Sequence, residues 1–438
     1  MMKQTIISFV MASAICPAAL QAVEPWSLDS CINYAISHNI TVKSRELQKQ
    51  SGELEIIEAK DRFLPQVSAG ANQSFSFGRG LTSENTYANR NTSNFGWNVG
   101  LSLPVFQGLS AVRRLNYAKA NLRVLVEECE AAKDDITLNV ISQYLQVLYC
   151  IEMREVAKNQ LEVSKLELKN REAKFDVGSI PEADLLEAKA LVARDELSFV
   201  SANNDYSIAL VDLAQMLELT DVEGFEIQPI ESTSLGLLSA DEVYRNALNH
   251  NHSILASRNG LTVADKNIEL AKTGYIPTLS FNAGIGSSYY TLSGAKTESF
   301  GRQMKNNLSK SLGFSLNIPI FNAFSTRNSI RRAKVQRVNA QLQLDDAEKR
   351  LYKTIQQAYV QATAAEKKMS SSKLAEQASL AAFNVVREKY NYGRANATEF
   401  EQAKNTYVRA VSESVQAKYE AILRTRILQF YNTPHNNN

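Results

Sequence analysis

Residues 94–106, NFGWNVGLSLPVF, alternate between apolar and small polar side chains over almost the whole run. The apolar positions are Phe95, Trp97, Val99, Leu101 and Leu103, and the positions between them are Asn94, Gly96, Asn98, Gly100 and Ser102. Successive side chains of a β-strand point to opposite faces of the sheet, so this pattern predicts a strand with one apolar and one polar face.

Three further segments, at about 66–78, 278–290 and 308–318, alternate in the same way. Their polar positions are almost all Ser, Gly and Asn, whereas the solvent face of a soluble sandwich normally carries Lys, Glu and Thr. Each run has about ten residues, which suits a tilted membrane strand, and aromatic residues gather toward the loop ends. We interpret all four as membrane strands, joined in pairs by polar loops at 79–93 and 291–307.

Four strands cannot close a barrel, and an open strand edge is not tolerated in lipid. The chain is therefore predicted to oligomerise, with a total strand number that is a multiple of four. Eight strands would leave an interior filled by side chains, and more strands leave a channel. Small polar inward faces favour the larger option, so we expect a trimer or a higher oligomer.

The strands belong to an internal duplication of residues 23–217 and 239–431. Pro65 and Pro277 lie 212 positions apart, and Gly178 and Gly393 lie 215 apart. Each copy is predicted to contain a short helix, two strands, a very long helix, a glycine turn and a second long helix. The connector at 218–238 could add a short strand at 224–229, and residues 432–438 form a polar tail.

The long helices are predicted at about 108–177, 182–217, 323–392 and 397–431. Neither 108–177 nor 323–392 is interrupted by proline or an internal glycine, and each would span roughly 105 Å. Heptad-like seams predict coiled coils; the seam positions are Leu185, Ala188, Val192, Asp195, Phe199, Ala202, Tyr206, Ala209 and Leu213 in the first copy, and Leu351, Ile355, Ala358, Ala362, Ala365 and Met369 in the second. A second stripe at Leu161, Leu168 and Phe175 favours the wall of a tube over a solid four-helix bundle.

The first 22 residues are predicted to be an export signal, because Lys3 precedes an apolar run at 6–15 and small residues lead to Ala22. Cys16 raises the alternative of a lipid attachment site, but Ile15 before it is too large for a usual one. No other segment reaches the roughly 20 apolar residues of a spanning helix.

Composition excludes several classes of function. The net charge is +2, from 48 basic and 46 acidic side chains, so the chain lacks the excess of positive charge that is typical of nucleic-acid-binding proteins. The mature cysteines Cys31, Cys129 and Cys150 are expected to be unpaired helix residues. His250 and His252 could bind a metal, but we assign them to a solvated turn because no carboxylate or cysteine cluster accompanies them in sequence. No catalytic pair, metal cluster or phosphate loop is apparent, so we predict that the protein is not an enzyme and carries no cofactor.

Three pairs of motifs resemble the TolC family of outer-membrane efflux and secretion channels. FLPQVSAG and YIPTLSFNAG enter the strands, GLSLPVFQG and SLNIPIFNA leave them, and KFDVGSIPEADLLEAK and KYNYGRANATEFEQAK form the helical hairpin turns. The resemblance implies an α+β membrane protein: a homotrimer whose 12-stranded outer-membrane barrel, four strands per chain, continues as a long α-helical coiled-coil tunnel in the periplasm of a Gram-negative bacterium.

The resemblance also implies partners. A periplasmic adaptor (membrane fusion) protein would contact the hairpin tips, and an inner-membrane transporter of the RND, ABC or MFS class would feed the tunnel. Substrate would leave through a passive duct, as in tripartite efflux or type I secretion. The tip residues carried over from the family pattern are Val177, Gly178, Ser179, Tyr392, Gly393 and Arg394.

The family pattern further places a gate or constriction at Asp184, Tyr390 and Glu399. A purely structural alternative remains for both carboxylates, because each lies in the first turn of a helix, where negative charge is favoured. Ala395, Gln402 and Pro181 depart from the pattern at positions that affect the lock, and Arg394 is a candidate substitute. A periplasmic coiled-coil adaptor or scaffold without a channel is the alternative function.

Overall fold

A computed structural model describes residues 25–81, 85–89, 91–222, 224–230, 238–293 and 295–433 of the chain. The predicted signal peptide with Cys16, connector residues 231–237 and tail residues 434–438 lie outside the described residues.

The first copy contains α1 (Leu28–His38), α2 (Ile40–Asp61), β1 (Gln66–Ser76), β2 (Arg79–Leu81), β3 (Tyr87–Asn89), β4 (Thr92–Phe106), α3 (Ser110–Asp176) and α4 (Glu182–Met216). The second contains α5 (Ala240–His250), α6 (His252–Lys272), β5 (Thr278–Leu292), α7 (Phe300–Asn306), β6 (Ser309–Asn317), α8 (Ser325–Asn391) and α9 (Ala397–Asn432). The two longest helices, α3 and α8, each have 67 residues, or roughly 100 Å of rise.

Each copy begins with two helices rather than the single short helix expected. An asparagine separates the helices in both copies, and its side chain accepts a hydrogen bond from the next helix. The Asn39 oxygen accepts from the Thr41 N–H at 2.9 Å, and the Asn251 oxygen accepts from the Ile254 N–H at 3.2 Å. Both asparagines have extended backbone, which breaks one helix and starts the next.

The four long strands form one antiparallel sheet in the order β1-β4-β5-β6. The register keeps the two types of side chain apart on opposite faces. One face carries the apolar rows Val67–Leu101–Ala283–Leu312, Ala69–Val99–Ile285 and Leu103–Phe281–Phe314. The opposite face carries Ser68–Gly100–Gly284–Ser311 and Gly70–Asn98–Gly286–Ser309. β1 and β6 are the edges of this sheet.

The segments predicted to be simple polar loops contain structure of their own, so that expectation was wrong. Residues 79–89 include the short β2–β3 hairpin. Residues 300–306 form α7, whose Phe300 ring lies 5.1 Å from the Tyr289 ring and 5.9 Å from the Phe95 ring. A single aromatic residue in a polar segment therefore anchors a helical turn to the sheet, which the average polarity of the segment does not indicate.

By its internal contacts the chain divides into two compact units: Met1–Ala35 with Val140–Thr233, and Ile36–Asn139 with Ser234–Asn438. In the first unit Tyr144 is fully buried, and its hydroxyl donates to the Trp26 and Gln228 carbonyls at 2.9 and 2.7 Å. Trp26 and Ile227 form an isolated parallel bridge, so the connector does add a minimal strand pairing. The Trp26 ring also packs edge-on against Phe225.

The second unit contains the sheet and a helical core. The core is formed by small and branched side chains, which are Ala240, Val243, Ala247, Ile254, Leu344, Leu351, Ile355, Ala358, Ala362 and Leu428. The predicted seam of α8 is buried from Leu351 through Ala365. Alanine at these positions lets helix backbones approach closely.

Candidate functional site

The tip of the first helical hairpin, between α3 and α4, is a glycine turn. Gly178 has φ +71°, a conformation that glycine tolerates and L side chains rarely adopt. The Gly178 N–H donates to the Phe175 carbonyl and the Ser179 N–H to the Lys174 carbonyl, both at 2.8 Å. This hydrogen-bond pair is the Schellman arrangement that ends a helix. Val177 is 78% exposed at the tip.

The tip between α8 and α9 repeats the arrangement. Gly393 has φ +68°. Its N–H donates to the Tyr390 carbonyl at 3.0 Å, and the Arg394 N–H donates to the Lys389 carbonyl at 2.7 Å. Tyr392 is 77% exposed, next to the glycine. The two tips therefore share one backbone geometry and present different side chains.

Below the first tip, the α3–α4 seam contains a buried arginine. The Arg171 side chain is 5% exposed. Its Nε donates to the Glu167 carboxylate at 3.1 Å, and its Nη1 donates to the Asp184 carbonyl at 3.0 Å. Glu187 lies 3.8 Å from the same guanidinium. The arginine thus links the last turns of α3 to the first turn of α4.

A second polar contact lies further along the same seam. Asp195 is buried, and its Oδ2 accepts hydrogen bonds from the Ser164 hydroxyl and, at 3.3 Å, from the Gln160 amide. Ser164 is 1% exposed. The predicted seam position of Asp195 is correct, and the pairing explains how a carboxylate is accommodated there, since buried polar groups need partners.

The α8–α9 hairpin is held by aromatic rings instead. Tyr390 stacks on Phe400 with ring centroids 4.8 Å apart. Phe383 lies 5.6 Å from Phe400 and stacks on Tyr407 at 5.7 Å. The same seam buries Lys404, whose Nζ lies 3.9 Å from the Glu401 carboxylate. Aromatic packing of this kind contributes roughly 0.5–1.5 kcal/mol per pair beyond its buried area.

The three residues assigned to a gate have different local roles. Asp184 lies in the first turn of α4, in the first unit, where its N–H donates to the Pro181 carbonyl at 3.1 Å. Tyr390 and Glu399 belong to the second unit. Glu399 forms a capping box with Asn396: the Asn396 side chain accepts from the Glu399 N–H at 2.8 Å, and the Glu399 carboxylate accepts from the Asn396 N–H at 3.2 Å. The capping alternative for Glu399 is therefore present in the structure.

The assignment of His252 to a solvated turn was wrong. His252 Nδ1 lies 2.8 Å from the Glu127 carboxylate, with both side chains less than a quarter exposed. His250 Nε2 donates to the Tyr431 carbonyl at 3.2 Å. Glu127 lies 125 positions before His252 in the sequence, so no local pattern could have indicated the pair.

A carboxyl group near this pair has an altered acidity. Burial raises the pKa of Asp134 to about 6, and the neighbouring Asp135 and Glu130 raise it further, while nearby His252 opposes the shift. Burial, followed by the nearby Asp135 and Asp134, also raises the pKa of Tyr431. Among the described residues, no group of three or more His, Cys, Asp or Glu side chains could hold a metal ion.

Two further observations concern the described part of the chain. Its three cysteines, Cys31, Cys129 and Cys150, are buried and unpaired. Burial raises the pKa of the Cys31 thiol to about 12, so it is a hydrophobic side chain rather than a reactive thiolate. None of the described helices has a stretch long and apolar enough to cross a membrane.

Comparison with protein families matches residues 31–218 and 243–429 to the model described as "Outer membrane efflux protein". The outer membrane protein TolC of Escherichia coli K12 is 23% identical over 382 residues, which cover 84% of this chain and 74% of TolC. The outer membrane efflux protein BepC of Brucella suis is 22% identical over 411 residues, covering 93% of this chain and 85% of BepC.

Solved structures share the fold at lower sequence identity. The Campylobacter jejuni CmeC outer membrane channel superposes with a TM-score of 0.76 at 16% identity, covering 94% of this chain and 87% of CmeC. CusC gives a TM-score of 0.75 at 15% identity, with 92% of each chain covered. The two matched family ranges coincide with the two copies of the duplication.

We predict that Arg171→Met loosens the first hairpin tip. The substitution removes the guanidinium bonds to the Glu167 carboxylate and to the Asp184 carbonyl, and breaking a buried ion pair costs about 3–5 kcal/mol. Subtilisin should then cleave the tip faster, and the folded oligomer should dissociate at a lower temperature. Lys165→Met is the matched control, because Lys165 lies on the same helix, is 50% exposed and pairs weakly with Glu162. Equal cleavage of the two variants would contradict the assigned role of Arg171.

Proposed function

We propose that this chain, which belongs to the outer membrane efflux protein family, assembles as a homotrimer into a passive exit duct across the outer membrane and periplasm. Membership makes it an outer-membrane efflux or secretion channel protein and not an enzyme. The observation that carries the trimeric duct is the four-stranded sheet, with one apolar face, one face of small polar residues and two open edges.

The sheet edges require partners from other chains. In lipid, backbone N–H and C=O groups must be hydrogen-bonded within protein, so β1 and β6 cannot remain edges. Pairing β6 of one chain with β1 of the next closes a barrel of 12 strands when three chains take part. The apolar side chains of the edge strands agree with a lipid-facing exterior: Val67 is 66% exposed and Leu312 is 78% exposed in the single chain.

The long helices supply the periplasmic portion. At roughly 100 Å each, α3 and α8 reach much further than the roughly 30 Å hydrocarbon core of a bilayer. In a trimer their hairpins, with α4 and α9, would line a tunnel continuous with the barrel. The small alanine side chains along the seams allow helices to lie side by side in such a wall.

We assign partners at the far end of the tunnel. The exposed tip residues, which are Val177, Gly178, Ser179, Tyr392, Gly393 and Arg394, would contact a periplasmic adaptor protein, and an inner-membrane transporter of the RND, ABC or MFS class would supply cargo. BepC is named for efflux, and a relative from Pseudomonas aeruginosa is named alkaline protease secretion protein AprF. Both efflux and protein secretion are therefore consistent uses of the duct.

The constriction is assigned to Asp184, Tyr390 and Glu399. Asp184 and Glu399 lie in first turns close to the tips, where three chains would converge. Tyr390 is packed on Phe400 within its own hairpin. Ala395 has no charge with which to hold the constriction closed. The neighbouring Arg394 is exposed and could supply that charge.

The alternative of a periplasmic adaptor or scaffold is less well supported. In a water-soluble protein the apolar face of an antiparallel sheet packs against a core. The apolar rows of β4 and β5 and the exposed apolar residues of β6 would be a liability in water, because large exposed apolar patches promote association. The same rows are favourable against hydrocarbon.

We predict that purified protein migrates as a heat-modifiable trimer and forms conducting channels in planar bilayers. Small polar side chains on the inner face of 12 strands leave a water-filled lumen. The measurement is single-channel recording of trimer and of heat-dissociated monomer from the same preparation. A water-soluble monomer, or a trimer without conductance, would overturn the duct.

We predict that Glu399→Gln lowers cation selectivity and divalent-ion block. Glutamine at this position can still take part in a capping box, so the substitution removes the charge and keeps the start of α9. Reversal potentials in a salt gradient measure the effect. Glu242→Gln, the N3 residue of the capping box of α5, is the matched control. Selectivity unchanged from wild type would remove Glu399 from the pore.

We predict that Gly393→Trp abolishes export while the trimer still forms. No atom lies within 4 Å of a Cβ placed on Gly393, so the side chain would project from the tip and obstruct a docked adaptor. Because φ is positive there, Gly393→Asn is the control, since asparagine tolerates this conformation. Export is measured in cells as resistance to a pump substrate. Normal export by the tryptophan variant would exclude docking at this tip.

A further inference from the structure

The short helix α7 is fixed on the apolar face of the sheet, at the end remote from the long helices. Phe95 and Tyr289 face each other across β4 and β5, and the Phe300 ring packs against both. The Ser287 hydroxyl donates to the Met304 carbonyl at 2.8 Å, and Ser287 is 7% exposed beneath the helix. Trp97 is the cross-strand partner of Ser287, so all these contacts are on the apolar side.

The Gln303 side chain completes the attachment, because its amide group pairs with the backbone of β5 as a neighbouring strand would. Its amide nitrogen donates to the Tyr290 carbonyl and its amide oxygen accepts from the Tyr290 N–H, both at 3.0 Å. The Asn307 amide donates to the Ser288 carbonyl at 2.7 Å. β6 begins only at Ser309, opposite Gly286, so these side chains satisfy the part of β5 that extends past β6. The helix is therefore held by specific contacts and not merely placed in a loop.

The attachment determines where the charges of α7 point. Residues of a helix are spaced by about 100° around its axis, so Phe300, Gln303 and Met304 share one side and Arg302 and Lys305 share the other. Gln303 and Met304 are partly buried against the sheet, whereas Arg302 and Lys305 are exposed. The two cations thus point away from the apolar face of the sheet, in the direction of the surrounding lipid.

A third cation lies on the sheet itself. Lys310 of β6 is the cross-strand partner of Ile285, in the row that continues to Val99, so it emerges on the apolar face. Ile285 lies two residues along β5 from Ser287, which bonds to Met304 of α7. No ion pair to Lys305 or Lys310 occurs among the described residues, and Glu298 lies 3.9 Å from Arg302. Lysine side chains on a lipid-facing surface are costly in hydrocarbon, so Lys305 and Lys310 would extend to the headgroup layer.

We propose that Arg302, Lys305 and Lys310 form a binding surface for the phosphate groups of outer-leaflet lipid. The inference rests on the proposed barrel, which makes the apolar face the lipid-facing one. The α7 end of the strands is opposite the end that continues into the long helices, so it lies on the outer side if those helices are periplasmic. Charge complementarity identifies the ligand: three cations meet a layer of phosphorylated headgroups, and each contributes about 1 kcal/mol near an anionic surface.

The test is native mass spectrometry of detergent-purified trimers titrated with lipid A, a diphosphorylated glucosamine-disaccharide lipid, and with its dephosphorylated form. Wild type should retain lipid A in preference to the dephosphorylated lipid. The triple variant Arg302→Gln, Lys305→Gln, Lys310→Gln should bind lipid A about a hundredfold more weakly, and Lys305→Gln alone about fivefold more weakly.

The matched control is Lys158→Gln, Lys165→Gln, Lys169→Gln, which removes the same charge from exposed positions of α3 and should bind like wild type. The charge-preserving set Arg302→Lys, Lys305→Arg, Lys310→Arg should also retain lipid A. Equal binding of both lipids by wild type, or equal binding by the triple variant and its control, would overturn the site. A trimer that conducts without lipid preference would overturn only this inference, whereas a monomer in the same spectra would overturn the duct as well.

Discussion

The hydrogen-bonding requirement of strands in lipid is the constraint on which the whole structure depends. Inside the sheet, β4 and β5 are paired on both sides, while β1 and β6 each have one unpaired edge. Hydrocarbon offers no water to such an edge. One chain is therefore an incomplete folding unit, and its exposed apolar side chains are covered only in an assembly within a membrane. The duplication serves this requirement by supplying the same strand pair twice, with matching registers.

The two hairpins solve one geometric problem by different chemistry. Both tips reverse direction through a glycine with positive φ and a Schellman hydrogen-bond pair. Below the tip, the first hairpin uses a buried arginine, Arg171, with directional bonds to Glu167 and to the Asp184 backbone. The second uses aromatic rings packed around Phe400, which bury apolar area and carry no charge. The two copies thus differ in the type of contact that joins their helices close to the proposed constriction: charged and polar in the first copy, aromatic in the second.

Several contacts near the functional regions had no signal in the sequence. In the sequence, Arg171 looks like an ordinary charged helix residue. Its contact with the Asp184 carbonyl exists only because α4 packs against α3. His252 reads as part of a polar turn, yet its partner Glu127 comes from the other copy of the duplication. In each case the partner is remote along the chain, and the burial that makes the contact important is itself a product of folding. Periodicity carries no information about such pairs.

The sequence by itself determined the strand faces, the great length of α3 and α8, the seam positions and the two tip glycines. These features follow from local rules: alternation of side chains in strands, helical spacing, and the conformational freedom of glycine. Only the tertiary structure decided that a polar loop holds α7 on the apolar face and that Asp134 is buried enough to raise its pKa. Those outcomes depend on which distant groups exclude water from one another, and that is settled only when the chain packs.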